Sequence, residues 1–456
     1  MSIPVQVDAH AVPRRAAGGV FEISNLAYPV VLQTLAETFM QVIDSAMVGR
    51  LGATELGAIG FGGVWMWTLF VAFVGAAQGV QVFVSRHHGA GEPRSCGRWV
   101  WQAIWILLPA MTLWCVVIAF GFPQLIRWIG TSPELAAKAT EYTSARVLQG
   151  PALVIGFAIV SFFRGIGDTR TPLIAGLTAI GVNVVSAYGL IFGAFGLPAW
   201  GIYGAGVAMT LSTWVNAALM VLLFARRRIR TRYVTRPVRP EPADLRRFGR
   251  TGLPIGGQWL LEMLSFAIFS SIVARMGDIS MAASQAMLQL LSLSFMQAVA
   301  ISIATATLVG RYLGAGDVAS AERSYRSALK LAFVPSAAIA ALFLSVPEAL
   351  LRIFSDDPQV LALGRPLLAL GAFFQLLDAT SIVAGGALRG AGDTRWSFAT
   401  SVVAAWGVRL PLLWLIAIHL DGGVMGAWIA ELFLVGSLAG AFVLRFRGGR
   451  WKTLTL

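Results

Sequence analysis

The sequence contains twelve apolar stretches of about twenty residues or more, and this feature restricts the chain to very few folds. About twenty apolar residues in a helix cross the ~30 Å hydrocarbon layer of a bilayer, where helices and closed barrels alone satisfy their backbone hydrogen bonds. The predicted spans are 23–48, 56–85, 99–121, 141–163, 171–195, 201–225, 252–275, 281–309, 327–346, 362–388, 396–419 and 423–445. We therefore expect an all-α integral membrane protein with twelve transmembrane helices.

The composition supports a membrane protein and excludes other classes. Charged residues make up 12% of the chain and hydrophobic residues 57%, whereas soluble domains are about 25% charged. An ordinary soluble enzyme, a disordered chain and a nucleic-acid-binding protein are therefore all excluded, despite the net charge of +13. We expect the bilayer, and no nucleic acid, to be the partner of the basic residues.

The positions of Lys and Arg test the predicted spans. If the N-terminus is cytoplasmic, 27 of the 35 Lys and Arg residues lie on the inner side and seven near outer helix ends. This asymmetry is the one that the positive-inside rule requires. We therefore predict that both termini are cytoplasmic and that the basic run at 226–251 is a solvated linker that touches anionic headgroups.

The two halves of the chain are related by a repeat with one constant offset. Pro29 matches Pro254, and the same offset matches Glu37 with Glu262 and the RGIGDTR segment at 164–170 with RGAGDTR at 389–395. Each half has six predicted helices, so both halves enter the membrane from the same side, as in transporters built from parallel repeats. The expected segments are a cytoplasmic tail (1–22), an N-lobe of helices 1–6 (23–225), a basic cytoplasmic linker (226–251), a C-lobe of helices 7–12 (252–445) and a cytoplasmic tail (446–456).

The two RGxGDTR loops predict a structural hinge or latch. A Gly-rich loop with an Asp suggests phosphate binding, but neither loop has the lysine or the strand of a P-loop. Gly allows a tight turn between helices, and Asp and Arg can stabilise helix ends.

Ionisable residues inside membrane spans are costly and are functional candidates by default. They are Glu37, Asp44, Glu262, Asp378, Arg409 and Glu431. On the first helix, Gln33, Glu37, Gln41 and Asp44 follow steps of four, four and three residues, so they share one face. That polar face should meet a cavity or another helix.

Estimated depths group these residues. At ~1.5 Å per residue, Glu262 and Asp378 both lie roughly 15 Å deep and can share one site near the midplane. Arg409 lies within reach of Asp378, either as a structural ion pair or as part of the site. Asp44 lies nearer the outer end, where Asn183 and Thr210 can add oxygens for a hard cation such as Na⁺. Glu37, Gln41 and Glu431 are possible supporting residues.

The coupling ion stays open at this level. A carboxylate in an apolar cavity can bind and release a proton near neutral pH, and the same carboxylate, when ionised, attracts Na⁺ or a cationic substrate. The four His residues lack metal-ligand spacing, so we expect no transition metal and no cofactor.

The residues resemble the multidrug and toxic compound extrusion (MATE) family. The first helix, FMQVIDSAMVGRLG at 39–52, is close to the family pattern Q-x-x-D-[ST]-x-[MV]-x-G-x-L-G, and the LRGxGDTR segment and Gly-Leu-Pro254 add to the similarity. The resemblance implies a 6+6 bundle that exports a drug or metabolite in exchange for Na⁺ or H⁺. Asp44, Asn183 and Thr210 match the N-lobe cation site of the family.

The resemblance also assigns C-lobe residues and shows one departure. Glu262 and Asp378 match acidic positions in the C-lobe of the NorM-like branch, where a cation site has been placed. A family carboxylate one turn after the asparagine is Ala187 here. The chain therefore combines part of an N-lobe site with a fuller C-lobe site.

We therefore expect a monomeric secondary transporter of the inner (plasma) membrane that exports organic, often cationic and amphipathic, compounds. The alternative within the same superfamily is a lipid-linked sugar or lipid flippase, whose cavity normally carries more Arg and Lys. A membrane-embedded enzyme is a remote alternative, because no HExxH motif or paired Asp-rich segments are present. A twofold repeat around buried carboxylates suits alternating access better than a channel.

Overall fold

The computed structural model describes residues 17–129 and 132–454, which form a bundle of long helices. Eleven of these helices are long and apolar enough to cross a membrane, and one bent pair supplies a twelfth span. The spans are α1 (Val20–Gly49), α2 (Ala53–Gly89), α3 (Cys96–Ile129), α4 (Pro133–Val147 with Gly150–Gly165), α5 (Arg170–Phe192), α6 (Gly201–Phe224), α7 (Pro242–Arg275), α8 (Asp278–Gly314), α9 (Val318–Ser345), α10 (Pro358–Gly390), α11 (Thr394–His419) and α12 (Gly423–Arg447). The predicted helical membrane fold is confirmed.

The predicted terminal tails lie partly outside the described residues, which exclude positions 1–16 and 455–456. The described part of the C-terminal tail packs against the bundle. The indole of Trp451 is fully buried, stacks on the Phe446 ring at 4.4 Å, and donates a hydrogen bond to the Phe446 carbonyl. This part of the tail is therefore folded against the end of α12.

The fourth span is bent by 51° between its two helices. Pro151 stands at the start of the second helix. Its nitrogen has no hydrogen to donate, and its ring would clash with the carbonyl of the preceding turn if the first helix continued unbroken. The sequence predicts one span at 141–163, and the structure divides that span at this proline.

The linker predicted at 226–251 is shorter and more firmly held than the sequence indicates. It contains a short helix, Arg227–Tyr233, and ends where α7 begins at Pro242, well before the predicted start at 252. The indoles of Trp101 and Trp105 on α3 donate hydrogen bonds to the carbonyls of Thr235 and Val238. The linker backbone is therefore fixed along α3, while the arginines of its short helix remain exposed.

The lobes α1–α6 and α7–α12 have equivalent loops, and each lobe has apolar clusters of its own, although the N-lobe cluster also includes Phe248 of α7. Gly167 and Gly392, which are equivalent by the repeat, adopt φ angles of 86° and 87° in the two RGxGDTR loops. The next residue of each loop, Asp168 or Asp393, donates its backbone N–H to a carbonyl one helical turn earlier, that of Phe163 or Leu388, at 2.9 Å in both. This is the Schellman ending of a helix, and it explains the glycine in each loop.

The lobes meet across a pseudo-twofold axis at the end of the bundle that carries the linker. A side chain on Gly89 of α2 would overlap the carbonyl of Arg311 on α8, and one on Gly314 of α8 would overlap the carbonyl of Arg86 on α2. Gly89 is the repeat equivalent of Gly314, and Arg86 is the repeat equivalent of Arg311. Glycine therefore allows the two helices to cross in backbone contact.

Hydrogen bonds and apolar packing reinforce this crossing. The side chain of Gln81 on α2 donates to the Thr307 hydroxyl of α8 at 2.9 Å, and Thr307 donates to the Arg164 carbonyl at 2.9 Å. Ile23 of α1 packs with Ile301 of α8 in an apolar cluster that joins the lobes. The lobes are therefore in close contact at the linker end.

We expect Gly89→Ala and Gly314→Ala to lower the midpoint of thermal denaturation in detergent. Alanine favours an isolated helix by ~1 kcal/mol, but overpacking a tight interface costs about 1–3 kcal/mol. The matched control is Gly440→Ala in α12, where a new methyl group meets open space. Equal stability of the Gly89→Ala and Gly440→Ala proteins would contradict the crossing described above.

Candidate functional site

The N-lobe candidate residues Asp44 and Asn183 bridge α1 and α5. The amide nitrogen of Asn183 donates to both carboxylate oxygens of Asp44, at 2.8 and 2.9 Å. Asp44 is 8% exposed and Asn183 is fully buried. A buried carboxylate must be hydrogen-bonded, and here the asparagine supplies that bond.

The third predicted N-lobe residue, Thr210, makes a different contact. Its hydroxyl donates to the backbone carbonyl of Ala145 on α4 at 2.8 Å. The hydroxyl of Ser212, also on α6, instead lies 3.4 Å from the side-chain amide oxygen Oδ1 of Asn183, to which it donates. Residues two apart on a helix point in different directions. Sequence reasoning missed Ser212, because the residues alone do not reveal which face of α6 meets Asn183.

A fixed positive charge also acts on the N-lobe group. Arg146, which the sequence placed among outer-end charges, donates a hydrogen bond to the Tyr142 hydroxyl at 3.0 Å and interacts electrostatically with Asp44. A cation bound at Asp44 would therefore experience repulsion from Arg146. Ala187, which stands where the family has a carboxylate, is buried in the apolar core of the lobe.

The C-lobe candidate Glu262 lies in a network between α7 and α11. The amide of Gln258 donates to the carboxylate of Glu262 at 3.0 Å and to the Ser401 hydroxyl at 2.9 Å. Gln258 and Ser401 are both buried, and Glu262 is half-buried. The glutamate is therefore oriented by a neighbouring helix.

The N-lobe contains the counterpart of this pair. The amide of Gln33 donates to the Glu37 carboxylate at 3.0 Å, and these two residues are the repeat equivalents of Gln258 and Glu262. Glu37 and Gln41 are exposed on α1, so the polar face of that helix does not close against another helix along its whole length. Applying the repeat offset to Gln33 would have identified Gln258 from the sequence.

Asp378 is the acidic candidate without a fixed partner. It is half-buried on α10, and it lies within electrostatic range of Glu262 and Glu431. Among residues 17–129 and 132–454, no side chain donates a hydrogen bond or forms an ion pair with its carboxylate. The structure therefore brings Glu262 and Asp378 into one region, and the oxygens of Asp378 remain available to a solute.

Arg409 pairs with Glu431, and in the described residues it forms no ion pair with Asp378, so the alternative of a structural Asp378–Arg409 pair is not observed. The guanidinium nitrogen of Arg409 lies 2.8 Å from the Glu431 carboxylate, and the two residues are 3% and 4% exposed. The backbone of α11 has π-helical turns at Val403–Arg409 and Leu413–His419, on either side of Pro411. These wide turns change the direction of side chains that a regular helix would present, which a depth estimate cannot foresee.

The two groups supply oxygen ligands and negative charge. In the described part of the chain, no three His, Cys, Asp or Glu side chains lie together as a metal-binding group. A Na⁺ ion would therefore need amide, hydroxyl or backbone oxygens in addition to a carboxylate. The arrangement can equally accept a proton or an organic cation at Asp378.

We expect Arg409→Met to destabilise the protein strongly, because it leaves Glu431 buried without its counter-ion. Removing one partner of a buried pair costs about 3–5 kcal/mol, and removing both is often neutral. The double variant Arg409→Met with Glu431→Met should therefore recover most of the thermal stability in detergent. Recovery with Asp378→Asn in place of Glu431→Met would contradict the observed pairing.

Comparison with known proteins agrees with this architecture. The family model described as MatE matches residues 29–189 and 254–415, and the two matches begin at the repeat-equivalent prolines. The multidrug resistance protein MdtK of Edwardsiella ictaluri is 30% identical over 433 residues, 92% of this chain and 93% of the relative. The probable multidrug resistance protein NorM of Thermotoga maritima is 28% identical over 443 residues, 94% and 93% of the two chains.

Solved structures share the fold. A MOP superfamily transporter from Pyrococcus furiosus has a TM-score of 0.86 and 20% sequence identity, with 95% of this chain and 97% of that chain covered. The family match spans both lobes and most of the chain. The chain therefore belongs to the multidrug and toxic compound extrusion family, and it is a multi-pass membrane transporter and not an enzyme.

Proposed function

We propose that this transporter exports organic compounds, often cationic and amphipathic, by antiport with Na⁺ or H⁺. The substrate binds between the lobes, and rocking of the lobes exposes it to each side of the membrane in turn. The tight crossing of α2 and α8 at Gly89 and Gly314 is the contact that must open and close.

The observation that carries the proposal is the free carboxylate of Asp378 beside Glu262. In an apolar surrounding, a carboxylate without a fixed cation favours a mobile one, because an isolated buried charge is costly. A proton, Na⁺ and an organic cation all relieve that cost, and they compete for the same charge. This competition is the physical basis of exchange between substrate and coupling ion.

The substrate class is supported by the relatives and by the charges of the site. The two relatives described above are named as multidrug resistance proteins. The acidic group in the C-lobe attracts cations. Arg389 and Arg409 lie within electrostatic range of Glu262, whereas Asp378, among the described residues, has only the carboxylates of Glu262 and Glu431 in range. An organic cation with an apolar body therefore fits the region better than an anion.

The same charges weigh against the lipid-linked sugar flippase. The substrate of such a flippase carries negatively charged phosphates, which Asp378 and Glu262 would repel. The intramembrane arginine Arg409 has its charge paired with Glu431 at 2.8 Å, so it attracts a phosphate less than an unpaired arginine would. We therefore prefer the exporter of small organic compounds.

The proposal includes the inner (plasma) membrane, a monomer and two cytoplasmic termini. The excess of Lys and Arg at the linker end supports this orientation. In that orientation the crossing of α2 and α8 lies on the cytoplasmic side. A solute therefore reaches Asp44, Glu262 and Asp378 from the outer side.

The proposed function is tested with the purified chain in proteoliposomes. Uptake or release of a panel of fluorescent organic cations is measured under a Na⁺ gradient alone and under a pH gradient alone. We expect at least one gradient to drive transport of several cations. Absence of gradient-driven transport for every cation, with correctly oriented protein, would overturn the proposal.

We expect Glu262→Gln and Asp378→Asn each to reduce gradient-driven efflux at least tenfold. Both substitutions keep the shape of the side chain and remove the charge that a coupling cation needs. Efflux in cells and membrane insertion are measured together, and Glu134→Gln at an exposed position of α4 is the control. If both site variants retain full efflux, coupling does not depend on the C-lobe group.

We expect Asp44→Asn to impair transport and to change its ion dependence. The carboxamide still accepts a hydrogen bond from Asn183 but no longer attracts a cation. The measurement is the initial rate as a function of Na⁺ concentration and of pH. An ion dependence identical to that of the unmodified protein would remove the N-lobe group from the mechanism.

A further inference from the structure

An open groove of about 510 Å³ lies between the inner ends of α7 and α11, away from both cation groups. Each helix contributes both basic and apolar side chains to it. The side chains that define it are Arg246, Arg250, Leu253, Pro254, Arg395 and Phe398. Arg246, Arg250 and Arg395 are all exposed.

The positive charge of this groove is not neutralised by the protein. The nearby carboxylates of Asp244 and Asp393 pair elsewhere, with Arg98 at 3.4 Å and Arg445 at 2.8 Å. In the described parts of the chain, no acidic side chain forms an ion pair with the three groove arginines. No carboxylate of the described residues offsets their mutual repulsion, which an anion from outside the protein would reduce.

The backbone helps to bring the charges together. The Nε atom of Arg395 on α11 donates a hydrogen bond to the carbonyl of Arg250 on α7 at 3.4 Å. This contact holds the start of α11 against α7 and directs two guanidinium groups to one opening. Arginine binds phosphate oxygens through paired N–H groups, which a single lysine cannot do.

The groove lies where the polar start of α7 meets its apolar span. Leu253 is 53% exposed and follows Arg250 by less than one helical turn. Phe398 stands one turn after Arg395 on α11 and lines the same groove. A ligand that fills the groove therefore needs an anionic head and an apolar body.

The repeat shows that the basic groove is specific to the C-lobe. The N-lobe positions equivalent to Arg246, Arg250 and Arg395 are Phe21, Asn25 and Arg170. The one remaining arginine, Arg170, lies over the ring of Tyr28 at 5.8 Å. Duplication of the lobes therefore does not account for three arginines at this place.

We propose that this groove binds the headgroup of an anionic phospholipid from the inner leaflet. The phosphate lies among Arg246, Arg250 and Arg395, and the acyl chains pack against the apolar side chains of Leu253 on α7 and Phe398 on α11. Basic pockets between helices at the cytoplasmic side of a membrane are suited to such headgroups. The bound lipid joins α7 to α11, the helices that also hold Gln258 and Ser401.

The proposal is tested by lipid titration of the purified full-length chain. Thermal denaturation is followed in mixed micelles with increasing phosphatidylglycerol, with phosphatidylcholine as the neutral lipid. The test variant carries Arg246→Gln, Arg250→Gln and Arg395→Gln, and the charge-matched control carries Arg227→Gln, Arg228→Gln and Arg230→Gln in the exposed linker helix. We expect the test variant to need at least tenfold more phosphatidylglycerol for half of the stabilisation, and the control to change less than twofold.

Three results would overturn the proposal. They are an equal loss in the control variant, equal stabilisation by phosphatidylcholine, and equal stabilisation by inorganic phosphate, which would indicate a site for a free anion. If the triple variant does not fold, Arg395→Gln is compared with Arg170→Gln at the equivalent N-lobe position. A weaker response to phosphatidylglycerol in Arg395→Gln alone supports the site, and equal responses contradict it.

Discussion

The cost of charge in hydrocarbon organises this protein. Each ionisable side chain inside the bundle must find a partner, because lipid offers none. Arg409 forms an ion pair with Glu431. The carboxylates of Asp44 and Glu262 accept hydrogen bonds from the side-chain amides of Asn183 and Gln258, respectively. Asp378 has no such partner in the described residues, and for this reason we propose its carboxylate as the place for a mobile cation.

The repeat accounts for the common architecture of the two lobes. Sequence differences between the lobes account for their different candidate sites. The pairs Gln33–Glu37 and Gln258–Glu262 are retained at the same distance in both lobes. The other acidic residues of the two cation groups have no acidic counterpart at the repeat offset. Asp44 corresponds to Phe269 in the C-lobe core, and Asp378 corresponds to Leu153 in the N-lobe. Two lobes of the same architecture thus carry different chemistry.

The lobes meet in a close backbone crossing of α2 and α8 at Gly89 and Gly314. Backbone contact at glycine provides close packing without side chains that would have to be rearranged. Because the crossing lies on a pseudo-twofold axis, each lobe contributes one glycine and one arginine carbonyl to it, at equivalent positions. This geometry suits two rigid lobes that change their relative tilt.

The sequence alone determined the spans, the repeat that relates the two lobes and the acidic residues within the membrane. These follow from hydrophobic length, periodic matching and the rarity of charge in apolar helices, which are properties of neighbouring residues along the chain. The tertiary structure alone decided that Arg409 pairs with Glu431, that Ser212 and not Thr210 meets Asn183, and that the fourth span bends. Those outcomes depend on helix rotation and on local π-helical or proline-induced distortion. Such rotations cost little along one helix and are fixed by the packing of several helices, so the linear sequence does not display them.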